Sequence, residues 1–110
     1  MSNSKYNSVK CNGYDSKAEA RRAQELHLLE RAGKIRDLQE QVKFIVCPAQ
    51  YDAKGKLVER EAYYLADFVY IDCATGQNIV EDVKGVHTPL YTLKRKLVLE
   101  RFGIRIREVK

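Results

Sequence analysis

Asp67, Asp82 and Lys84 are the residues whose types and spacing could do chemistry. The stretch from Tyr63 to Ile71 is apolar on both alternating faces except at Asp67, the pattern of a strand covered on both sides. A carboxylate buried there is costly unless something compensates it. Cys73 to Gly76 reads as a four-residue turn with glycine at its end. If Asp72 and Gln77 flank that turn, residues whose numbers sum to 149 face each other, and Asp67 lies opposite Asp82. Directly opposed side chains share a face with Cβ atoms about 5 Å apart, where like charges repel. Lys84, two residues on, returns to that face. Two acids and an amine on one patch have the makings of a divalent-cation site with a catalytic lysine. A one-residue slip would deliver Glu81 in place of Asp82, which makes Glu81 the fallback acid.

The elements that must position these residues are marked by caps and periodicity. Ser16 to Glu19 forms a capping box and Gly33 a stop, predicting a helix over 17–32. Its inward stripe is Ala23, Leu26 and Leu29, with Glu19 on the same side one turn earlier. Residues 35–38 read as a short extended link. From Gln41 to about Gln50 the chain reads as a strand in which Pro48 implies an edge or bulge. Asp52 to Gly55 is a hairpin turn, and 57–72 a long strand that allows an interruption near Arg60. Residues 77–84 form the next strand. Thr88 suits an N-cap and Pro89 the first helical position of a second helix that Gly103 ends; 104–109 is an alternating final strand. The apolar arc of the second helix comprises Leu90, Leu93, Leu97, Val98 and Phe102, with Lys94 and Arg101 falling inside it. Helical side chains lean towards the N-terminus, which aims Lys94 at the loop leaving Lys84. The order α-β-β-β-α-β defines an α/β (α+β) chain, with a mobile arm over 1–13 and a single domain over 14–110.

Composition bounds the function. The chain has 110 residues and a formal net charge of +5. All of the excess lies in the last twenty residues: Lys94, Arg95, Lys96, Arg101, Arg105, Arg107 and Lys110 stand against Glu100 and Glu108. A basic block on an otherwise neutral body points to a polyanion, most simply nucleic acid. Tyrosines sit within apolar strands, so no base-stacking platform is indicated. No apolar run approaches the ~20 residues of a membrane-crossing helix, and the polar start lacks a signal-peptide pattern. Cys11, Cys47 and Cys73 are odd in number and widely spaced, which argues against a disulfide framework and for a reducing compartment. Two histidines and no Cys-x-x-Cys pair leave a structural zinc site without support.

Asp67 followed by Asp82-Val83-Lys84 on the next strand resembles the PD-(D/E)xK motif of the restriction-endonuclease-like nuclease superfamily. The element order is also similar to that superfamily's core, a mixed central sheet flanked by helices. More closely, Tyr14 to Glu19, Ala66-Asp67-Phe68, Val80 to Gly85 and Tyr91 to Lys96 resemble a small phage and prophage endonuclease family that is itself similar to Holliday-junction resolvases. The resemblance covers residues 14–109. Ala66 stands where the motif has proline, and Asp82 where glutamate is commoner.

The resemblance implies a metal-dependent endodeoxyribonuclease acting on branched or recombination-intermediate DNA in a bacterial host's cytoplasm, as a homodimer. Asp67, Asp82, Glu19 and the Val83 backbone carbonyl would hold Mg²⁺ or Mn²⁺, hard cations that prefer oxygen. Lys84 would stabilise developing negative charge, and Lys94, Arg95, Lys96, Tyr91 and Arg101 would meet DNA. Gln41 and His87 stand near the motif without an assigned role. Two other readings compete: a catalytically weak DNA-binding accessory protein of phage recombination or replication that keeps the fold, and a domain whose acids form a structural salt bridge with Lys84.

Overall fold

In the computed structural model, which describes residues 16–83 and 87–110, Ser16 opens the first helix as an N-cap. Its Oγ accepts the Glu19 N–H at 3.0 Å, one half of the capping box. Helix α1 is Lys17–Arg31. The strands β1 (Ile35–Cys47), β2 (Gln50–Tyr51), β3 (Leu57–Glu59), β4 (Ala62–Asp72) and β5 (Asn78–Val83) follow, then α2 (Pro89–Phe102) and β6 (Arg107–Val109). Thr88 caps α2 by accepting the Tyr91 N–H at 3.1 Å, and Gly103 ends it in the left-handed region at φ 67°. The main sheet has the order β1-β4-β5-β6, antiparallel except for the parallel β5–β6 pair, so it is a mixed sheet. The expected arm and Lys84 lie outside the described residues.

The turn arithmetic holds. Asp72 N–H bonds Gln77 O at 2.9 Å, and the ladder runs Ile71↔Asn78, Tyr70↔Ile79, Val69↔Val80, Phe68↔Glu81. Three expectations need correction. Residues 35–38 are not a link but the start of β1, whose alternation is broken by a register shift between Arg36 and Gln39, where Asp37 takes φ 56°. The strand over 57–72 is interrupted at Arg60–Glu61, as the sequence allowed, but β3 does not share the sheet of β4: it pairs with β2 in a separate two-stranded hairpin. The last strand begins only at Arg107.

Two hydrophobic clusters lie on opposite faces of β5. Ala23 and Leu26 of α1 pack with Ile35, Phe68, Tyr70 and Ile79. Tyr91 and Val98 of α2 pack with Val46, Tyr64, Ala66 and Val80. Leu29 is at the surface, as are Leu90, Leu93 and Phe102. The helix α2 is thus rotated from its most apolar arc, because Tyr91 turns inward and its hydroxyl finds a partner in Glu108.

One feature of β1 and β4 bears on function. Phe68 and Tyr70 serve the α1 cluster, while Tyr64 and Ala66, of the same parity, serve the α2 cluster. Leu38 and Phe44 divide likewise along β1. Pairing stays in register through this change, from Gln39↔Val69 to Ile45↔Tyr63. The two strands exchange faces together around Gln41, at φ 56°, and Asp67.

Candidate active site

The β4–β5 ladder ends at Phe68↔Glu81, and the next N–H of β5 to be satisfied is met differently. Val83 N–H donates to Asp67 Oδ2 at 2.7 Å, so the Asp67 carboxylate, not its backbone, bridges the strands. Val83, expected to offer its carbonyl, engages Asp67 through its amide. The Gln41 side-chain amide donates to Glu19 Oε2 at 2.9 Å and lies 3.4 Å from Asp67 Oδ1. Glu19 is 7% exposed in spite of its place in the first turn of α1. Gln41 therefore joins the helix acid to the strand acid at the point where β1 and β4 change faces.

Asp82 is 4% exposed and belongs to the α2 side of β5. The Tyr64 hydroxyl faces it from β4. Burial, and then the negative charge of Asp82, push the Tyr64 phenol well above its ordinary range. Tyr64, Asp82, Thr88, Tyr91 and Lys94 line one open cleft of about 250 Å³ at the N-terminal end of α2. Lys94 lies half-buried there, with Nζ 5.8 Å from the Tyr63 ring centroid. Lys94 is thus one of the residues lining the Asp82 cleft.

Glu81 is not the fallback acid. It points to the α1 side, fully buried, where Arg22 grips it with two bonds, Nε to Oε1 at 2.8 Å and Nη2 to Oε2 at 2.7 Å. The Tyr70 hydroxyl donates to the same carboxylate. Burial and that bond push the Tyr70 phenol up to about 12. Hydrogen bonding to Glu81 raises the Arg22 pKa against an opposing cost of burial. Sequence reasoning passed over Arg22 and Tyr70; a base three residues after Glu19 on the helix was the available signal.

The expected DNA-facing residues divide. Tyr91 lies in the core, 4% exposed, with its hydroxyl donating to Glu108 Oε2 at 2.6 Å. Burial then raises its phenol pKa, and the same bond lowers that of Glu108. Arg95 Nη1 and His87 Nε2 also approach Glu108, at 3.4 and 3.1 Å. Lys96 and Arg101 are exposed.

Carboxylates of Glu19, Asp67 and Asp82 are hard oxygen donors, the chemistry a divalent Mg²⁺ or Mn²⁺ ion takes. Among the described residues, however, no three His, Cys, Asp or Glu side chains group closely enough to hold a metal ion. Among those residues, too, no helix is long and apolar enough to cross a membrane. A family model described as "Protein of unknown function (DUF1064)" matches residues 3–110. No curated protein and no solved structure matches.

Proposed function

The chain belongs to that family of unknown function, and within it we propose a divalent-metal-dependent DNA endonuclease of restriction-endonuclease-like fold, acting on branched or recombination-intermediate DNA. The observation that carries this reading is the delivery of Asp67 and Asp82 by neighbouring strands to the end of the β4–β5 ladder, with Glu19 tied to Asp67 through Gln41. Hydrolysing a phosphodiester needs an activated water and stabilisation of charge on the transferring phosphoryl group. A bound Mg²⁺ or Mn²⁺ would supply Lewis acidity and a more acidic water. Asp67 and Asp82 are its proposed ligands, with Glu19 tied to Asp67 through Gln41. Lys84 is assigned the neutralisation of charge developing on the phosphoryl group. Lys94 lines the Asp82 cleft and contacts the phosphate. The same reading places the protein in a bacterial host's cytoplasm, as a homodimer able to cut two strands.

The test compares cleavage of four-way junction, flap, linear duplex and single-stranded DNA in Mg²⁺ and in Mn²⁺. Metal-dependent cleavage is expected, strongest on branched DNA, falling by at least about 100-fold in Asp82→Ala and in Lys84→Ala. A protein that binds DNA and cuts none of these with either metal is an accessory binder, not a nuclease.

A further inference from the structure

The basic residues of α2 do not form one patch. At about 100° per residue, the buried Tyr91 and Val98 point between Lys94 and Arg95, so these two lie on opposite flanks of the helix. Lys94 faces the cleft that holds Asp82. Arg95 and Lys96 face the other way, into a groove of about 370 Å³ closed by Ile104, Arg105 and Ile106 on the approach to β6. Its floor is the half-buried pair Ile104 and Ile106. Its one acid, Glu108, is occupied by Tyr91, Arg95 and His87. Lys96 and Arg105 are both exposed, and with Glu108 balanced by Arg95 they leave the groove net positive.

We propose that this α2–β6 groove is a second phosphate-backbone site, separated from the Asp82 cleft by the width of α2, and that it takes the backbone of a second DNA arm. The inference rests on nucleic acid being the partner, as proposed above. It gives the branched substrate of that reading a second contact: a helix flanked by an acidic cleft with one lysine and by a cationic groove suits two duplex segments diverging from a branch. A linear duplex engaged at the cleft leaves the groove empty.

The experiment measures binding by fluorescence anisotropy in EDTA, so that no cleavage occurs, using a four-way junction and a short linear duplex. Lys96→Glu/Arg105→Glu is compared with wild type and with Lys54→Glu/Lys56→Glu, which makes the same charge change on the β2–β3 hairpin. The groove variant is expected to lose about 10- to 100-fold of junction affinity, with a salt slope lower by roughly 0.9 per lost phosphate contact. The duplex and the hairpin variant should change by only about two- to threefold, a residual field effect. Equal losses on both DNAs, or equal losses in both variants, overturn the second-arm site while leaving nucleic-acid binding intact. If wild type binds neither DNA, the nucleic-acid reading fails and this site with it. Should the double reversal fail to fold, Lys96→Gln/Arg105→Gln is read by the same criteria.

Discussion

Glu81 and Asp82 are sequence neighbours with opposite surroundings. The first is a buried anion gripped by Arg22 and Tyr70, and removing one partner of such a pair leaves an uncompensated charge. Glu81→Ala should therefore cost about 3–5 kcal/mol, read as a lower urea midpoint at unchanged slope. Asp82→Asn should cost little or raise the midpoint in metal-free protein, since acids gathered for a ligand repel in its absence. If Asp82→Asn destabilises as much as Glu81→Ala, Asp82 is a structural anion. The Arg22–Glu81 pair also explains how α1 is held: it ties the helix to β5 three residues beyond Glu19, which keeps Glu19 at Gln41.

At the scale of elements, the caps carry the argument. Thr88, Pro89 and Gly103 bound α2 as their residue types require, and α2 in turn holds Lys94 to one cleft and Arg95 to another. Gly103 sits at φ 67° with open space around a would-be Cβ, so its substitution is penalised by backbone conformation alone. Gly103→Ala should cost about 1–2 kcal/mol in thermal or urea unfolding. A neutral result would mean that the α2 terminus relaxes out of the left-handed region. The two long strands show the complementary case. The strand through Asp67 was readable, but the exchange of faces at Gln41 and Asp67 was not, because parity alone does not reveal a reversal that both strands make together.

For the whole molecule, ligand binding and stability are linked. If Asp67 and Asp82 hold a divalent cation, Mg²⁺ at ten times its Kd should stabilise the fold by about 1.4 kcal/mol. That is several degrees in melting temperature for a chain of this size. The shift should vanish in Asp82→Asn and persist in Glu19→Gln if Glu19 is an outer residue. No shift in wild type at any Mg²⁺ concentration would remove the metal from the site.

By itself the sequence determined both helices, their caps, the turn at Cys73–Gly76 and thereby the register of β4 on β5 from Ile71↔Asn78 to Phe68↔Glu81. All of these are local: a cap, a glycine or a hairpin turn acts within a few residues. Only the tertiary structure decided which partner each charge takes. It sent Glu81 to Arg22 and Tyr70, drew Tyr91 inward onto Glu108, and joined Glu19 to Asp67 through Gln41. It also divided one basic run into two surfaces. The physical reason is that burial fixes helix rotation: α2 turned to bury Tyr91 because a distant strand supplied the acceptor for its hydroxyl, and every cation on that helix turned with it.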